Sequence, residues 1–171
     1  MDEKLRFPIG RFDPENLPAP ADSIAAIAGL PERLRQAVEG LDDSQLDTEY
    51  RPEGWTLRQT VHHIADSHIN AFCRFKLALT EETPTIRPYA EGLWAELADS
   101  RMPVEPSLEI ISGVHARWAE LLYWISESDL RRRLLHPDSG EWELGSMLAM
   151  YAWHSRHHLA HITTTRERHG W

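Results

Sequence analysis

Four histidines stand within eight residues near the C-terminal end of the chain: His154, His157, His158 and His161. Two i,i+4 pairs are contained in that run, His154/His158 and His157/His161. On a helix, residues four apart project the same way one turn above the other, so either pair can hold a single metal ion. A second cluster, His62, His63 and His68, lies about ninety residues upstream. Two imidazoles from one helix and one from another make a three-histidine site. Such a site leaves coordination positions open for water or substrate, the arrangement of catalytic rather than structural metals. A single histidine on an apolar face is ordinarily a hydrogen-bonded core residue, and an acidic chain with ten histidines can bind metal loosely at its surface. The paired spacing on one segment and the matching cluster on another carry the metal-site reading.

Composition bounds the rest. A chain of 171 residues reads as one domain, 1–171, long enough to bury a core. No apolar run approaches the roughly 20 residues of a membrane span. The N-terminus lacks the apolar stretch of a signal peptide, so a cytoplasmic protein is expected. Cys73 is the one cysteine; it excludes an internal disulfide, suits a reducing compartment, and is expected in the core. A net charge of −9, with no basic stripe, argues against nucleic acid as partner. Seven tryptophans are many for this length and read as core or interface anchors.

The histidines must be positioned by helices. Pro8, Pro14, Pro18 and Pro20 give an extended N-terminal arm over residues 7–20 that lies on the body. A first helix is expected over 22–40, capped by Asp22 or Ser23 and kinked at Pro31. Tyr50–Gly54 is a turn. Thr56-Leu-Arg-Gln59 is a capping box opening a second helix to about residue 79, with Leu57, Val61, Ile64, Phe72, Phe75 and Leu79 at helical spacing. Residues 80–106, broken by four prolines, form a long crossover or lid with a short helix around Trp94. A third helix spans about 107–125 and a fourth about 143–168. Between them come a short helix after Ser128 and a turn at His136–Gly140. With no convincing alternating strands, the pattern is all-α: a four-helix bundle with a long crossover.

A helical projection ranks the histidines. At about 100° per residue from His154, the apolar face of the last helix centres near 80°, with His158 at about 40°, His161 at about −20° and His157 at about −60°. His154 and His158 are nearer the core, His161 borders them, and His157 is expected to face solvent. Upstream, His63 shares a polar stripe with Asp66, Ser67 and Asn70. His62 projects away from the Ile64/Phe72 face, and His68 points into its middle as a packed core histidine.

These segments together resemble the DinB/YfiT-like superfamily of metal-binding four-helix bundles, and its YfiT type over almost the whole chain. The resemblance is carried in order by Phe7-Pro-Ile-Gly10, Gly54-Trp-Thr56, Val61-His-His-Ile-Ala-Asp-Ser-His68, Arg74–Tyr89, Met150–Ile162 and Gly170-Trp171. It implies a DinB-like bundle and the ligands His63, His154 and His158. It also implies one divalent metal per subunit, zinc or nickel, and a homodimer. Its members are described as metal-dependent hydrolases, and close relatives as bacillithiol S-transferases. Many members of the broader superfamily carry a glutamine where this chain has His161. That leaves His161, with Asp66, as a candidate for supporting the metal, shuttling protons or packing.

Three neutral imidazoles leave a divalent metal its full charge, so a bound water or thiol is strongly acidified. The expected substrate is a small molecule, either hydrolysed or attacked by a low-molecular-weight thiol. No glutamate accompanies the histidine pair as in the HExxH peptidase motif, which slightly favours thiol transfer. Arg87, Tyr89 and Trp94 in the crossover are candidates for the substrate mouth. The rival class is a non-catalytic metal-binding stress-response module, and a fourth protein ligand such as His161 or Asp66 would mark it.

Overall fold

A computed structural model describes residues 2–171. In chain order it contains α1 (Asp2–Arg6), α2 (Pro20–Ala28), α3 (Leu30–Val38), α4 (Asp43–Leu46), α5 (Leu57–Thr80), α6 (Glu91–Trp94), α7 (Glu105–Tyr123), α8 (Glu127–Leu130), β1 (Arg133–His136), β2 (Gly140–Glu143) and α9 (Leu144–His169). The broken pair α2/α3 with α5, α7 and α9 makes a four-helix bundle. Both α2/α3 and α5 pack against α7 and α9, so the first two long helices lie diagonally across the bundle. The chain reaches α5 through α4, and leaves it through the crossover over 81–104.

Local chemistry fixes the helix ends. Thr56 accepts from the Gln59 N–H while the Gln59 side chain accepts from the Thr56 N–H, the reciprocal capping expected from the sequence. Directly inside that start, buried Arg58 donates to Asp47 at 2.6 Å, to Asp43 at 2.8 Å and to the Met102 carbonyl. It ties α5 to α4 and to the crossover. The first helix begins at Pro20 rather than at Asp22 or Ser23, because proline suits the opening turn, where an N–H would be orphaned. It is interrupted at Gly29, two residues before Pro31, as a mid-helix proline requires.

Three features differ from the sequence expectation. The hairpin β1–β2, with Leu134 opposite Trp142, stands where only a turn was expected; Leu134 is fully buried and Leu135 joins the crossover by bonding Pro84 and Ile86. The short helix α1 precedes the arm. Cys73 is exposed, not in the core. Ile69, Cys73, Lys76 and Leu77, about one turn apart in succession, form the outward stripe of α5, away from the buried Phe72/Phe75 face.

The apolar interior falls into two clusters. One is built on Ile27, Phe75, Trp118, Met147 and Tyr151, the other on Leu34, Val61, Ile64, Leu108 and Ile162. Between them along the bundle axis, α5, α7 and α9 place histidines: His63 and His68, His115, and His154 to His161. The bundle is thus two hydrophobic cores separated by an imidazole layer. Among the described residues no helix is long and apolar enough to cross a membrane.

Candidate metal centre

The capping box sets the phase of α5, and seven residues inside it His63 turns toward α9. There the His63 and His154 Nε2 atoms stand 3.2 Å apart. His154 and His158 sit one turn apart on α9, their ring centroids separated by 4.4 Å. One ring nitrogen from each of His63, His154 and His158 falls within 4.8 Å of the others. Nitrogens ligating one zinc at about 2.0–2.1 Å in tetrahedral geometry lie roughly 3.3 Å apart, close to the His63–His154 spacing. Trp55 packs on His63 with centroids 4.6 Å apart and faces His158 from 6.4 Å.

Burial keeps these rings neutral. It pushes His63 down to about 4, with His161 nearby adding to the effect. His154 and His158 are held well below the ordinary histidine range, again chiefly by burial and then by neighbouring imidazoles. A neutral imidazole is the form that ligates metal. The inner Nδ1 atoms of His157, His158 and His161 are buried without hydrogen-bond partners, a cost ordinarily avoided in a protein interior. Converging neutral nitrogens and unsatisfied ring atoms fit a divalent cation of intermediate softness such as zinc or nickel.

His157, His158 and His161 form a second group within the same distance. His157 is buried, not solvent-facing, because the N-terminal arm folds across that side of α9. Trp153 stacks on His157 at 4.4 Å and donates to the Gly10 carbonyl, and Phe7 lies 5.8 Å from the His157 ring. His161 stacks on Tyr50 at 3.9 Å and donates through Nε2 to the Arg6 carbonyl at 3.2 Å. Burial pushes His161 to about 4 and His157 to about 3. His161 therefore anchors the arm. Neither it nor Asp66 joins the group of His63, His154 and His158 among the described residues. Asp66, one turn after His63 on α5, is half-buried, and burial, reinforced by Asp99, raises it to about 6.

The histidines open onto a cavity of about 720 Å³ lined by Trp55, Ser67, Arg74, Tyr89, Tyr151 and the arm residues Arg6 and Phe7. Of the three crossover residues expected at the mouth, only Tyr89 lines this cavity. Trp94 stands behind it, 4.5 Å from the Tyr89 ring. The Arg87 side chain is exposed, and its carbonyl accepts from buried Arg74, which also donates to the Tyr151 hydroxyl at 3.0 Å. Neither Arg74 nor Tyr151 stands out in the sequence as a site residue: each lies singly within a helical segment, and the bond between them is a contact between α5 and α9. His115 is a further buried histidine whose signal in the sequence is a polar residue interrupting the Ile111–Trp118 apolar stripe.

A helical bundle with a three-histidine cluster at the floor of a cavity is the class that the fold and site define. The model of the DinB superfamily matches residues 26–162, and the chain belongs to that superfamily. Among curated relatives, a "Putative metal-dependent hydrolase" of Bacillus cereus (strain AH820) is 50% identical over 171 residues, 98% of each chain. A protein of the same name from Bacillus mycoides (strain KBAB4) is 50% identical over 173 residues, again 98% of each. Among solved structures, YfiT from Bacillus subtilis superposes with a TM-score of 0.93 at 46% identity, covering 98% of this chain and 99% of that one. It is described as "a probable metal-dependent hydrolase with an unusual four-helix bundle topology".

Proposed function

We propose that the protein is a metal-dependent enzyme in which His63, His154 and His158 hold one zinc or nickel ion per chain and activate a small nucleophile against a small-molecule substrate. The observation that carries this reading is the convergence of three neutral imidazoles from two helices, His63 and His158 buried and His154 half-buried, at the floor of an open cavity. The relatives' names support the hydrolase class. When bound, a divalent ion on three neutral ligands retains its full charge and supplies the Lewis acidity that ionises water or a thiol near neutral pH.

The chain's own groups do the rest. Trp55 packs on the ligand rings and lines the cavity with them. Tyr151 is held by Arg74 and presents its hydroxyl in the cavity wall. Tyr89, pushed by burial up to about 12, remains a phenol there and can donate a hydrogen bond to developing negative charge on a substrate. The arm, pinned through the Gly10 and Arg6 carbonyls, closes one side. Asp66, on the same helix as His63 and raised by burial to about 6, is a candidate proton acceptor.

Thiol transfer is the second reading. The same three ligands serve either nucleophile, and no glutamate accompanies the histidine pair on α9 as in the HExxH motif. A small-molecule substrate, a homodimeric assembly and a cytoplasmic location belong to the same proposal. The test is turnover of an ester panel without thiol, set against consumption of a thiol by an electrophile, each with and without chelator. Metal-dependent hydrolysis supports the first reading and metal-dependent thiol consumption the second. Metal-independent rates in both would defeat the enzymatic proposal.

A further inference from the structure

Pro31 leaves a backbone carbonyl without its regular helical donor. In a continuous helix the Ile27 oxygen would receive the N–H of residue 31, and proline has none. That oxygen accepts from His115 Nδ1 on α7 at 2.7 Å. His115 Nε2 lies 2.7 Å from His68 Nδ1 on α5, and His68 Nε2 lies 3.1 Å from His154 Nδ1 on α9. The line of contacts therefore crosses the bundle from the break between α2 and α3 to the candidate ligand.

Its direction is fixed at the far end. A carbonyl only accepts, so His115 must carry its proton on Nδ1. A neutral ring has one N–H, so His115 Nε2 accepts and His68 must donate from Nδ1. By the same step His68 Nε2 accepts, and His154 donates from Nδ1. His154 is left with an unprotonated Nε2, the atom that faces His63 Nε2. The two linking rings are enclosed by the bundle. His68 and His115 are 0% and 1% exposed, with Trp118 and Tyr151 edge-on to His68 at 5.8 and 5.7 Å. Burial disfavours the charged form of both.

We propose that His115 and His68 are positioning residues, an imidazole relay anchored on the Ile27 carbonyl that sets the tautomer and ring orientation of His154. The inference rests on His154 being a metal ligand. Metal-ligating histidines commonly have their second nitrogen bonded to a carboxylate or carbonyl. Here two neutral rings transmit the carbonyl's preference across the bundle and add no negative charge. His158, whose Nδ1 has no partner, lacks such support, so His154 is the pre-set ligand of the α9 pair.

Long-range proton–nitrogen correlation spectra of the metal-free protein read the tautomers directly. His115, His68 and His154 should all carry the proton on Nδ1. His68→Gln offers an amide oxygen to the His154 N–H, whereas His68→Leu fills the space without an acceptor. Zinc affinity should fall about 10- to 100-fold in His68→Leu, with most of it recovered in His68→Gln and the His154 Nδ1–H signal retained only there. A proton on His154 Nε2 in the metal-free wild type overturns the relay, and so does equal zinc affinity in the wild type and both variants. Should His68→Leu fail to fold, the wild-type spectrum decides alone. The expected tautomers in a wild-type protein that takes up no zinc support the relay and overturn the ligand reading instead.

Discussion

At the scale of single residues, the histidine layer makes the metal-free protein acid-sensitive. The folded-state values of His63, His115 and His161 lie at about 4 and that of His157 at about 3, against about 6.5 in an unfolded chain. Between those values the unfolded state binds protons that the folded state refuses. Stability is therefore full above pH 6.5 and is lost as pH falls toward 4, by up to about 1.4 kcal/mol per pH unit for each ring. Asp66 acts oppositely: raised to about 6, it favours the folded state as pH falls from 6 toward the ordinary carboxylate range. One carboxyl against several imidazoles leaves the net slope positive. The urea midpoint of chelator-treated protein should drop clearly between pH 7.5 and pH 5; an unchanged midpoint would mean that the rings are not held neutral.

At the scale of elements, the site depends on α5 starting in the right place. Removing the side-chain acceptor with Thr56→Ala should cost about 1 kcal/mol in denaturant unfolding, and an unchanged midpoint would remove the cap from the account. The long helices were legible in the sequence because their apolar residues repeat with helical period and Thr56/Gln59 marks a start. The hairpin was not, since strands of four residues with Leu134 and Trp142 as their main apolar contacts carry too little alternation. Projection around α9 selected His154 and His158 but left His157 in solvent. It sees only the helix's own apolar face, and His157 is covered by an arm more than 140 residues away in sequence. Phe7→Ala should uncover that side of the cavity and speed zinc loss to a chelator, followed by stopped flow; an unchanged rate would mean that the arm does not gate the site. For the same reason the histidine relay was invisible: Pro31 announces a kink, but not which ring will use the carbonyl it frees.

At the scale of the whole molecule, two hydrophobic cores hold a polar layer that neither could contain alone, and four helical segments converge on it. We expect a symmetric homodimer, and light scattering at micromolar concentration should give twice the mass of the 19.7 kDa chain; a monomer would contradict that expectation. The central claim concerns the metal. Elemental analysis of extensively dialysed protein should find close to one zinc or nickel per wild-type chain. His63→Ala and the double variant His154→Ala/His158→Ala should lose it, and His157→Ala should keep it. Metal retained at full stoichiometry in the first two variants, or lost only in the third, would contradict the three-histidine centre.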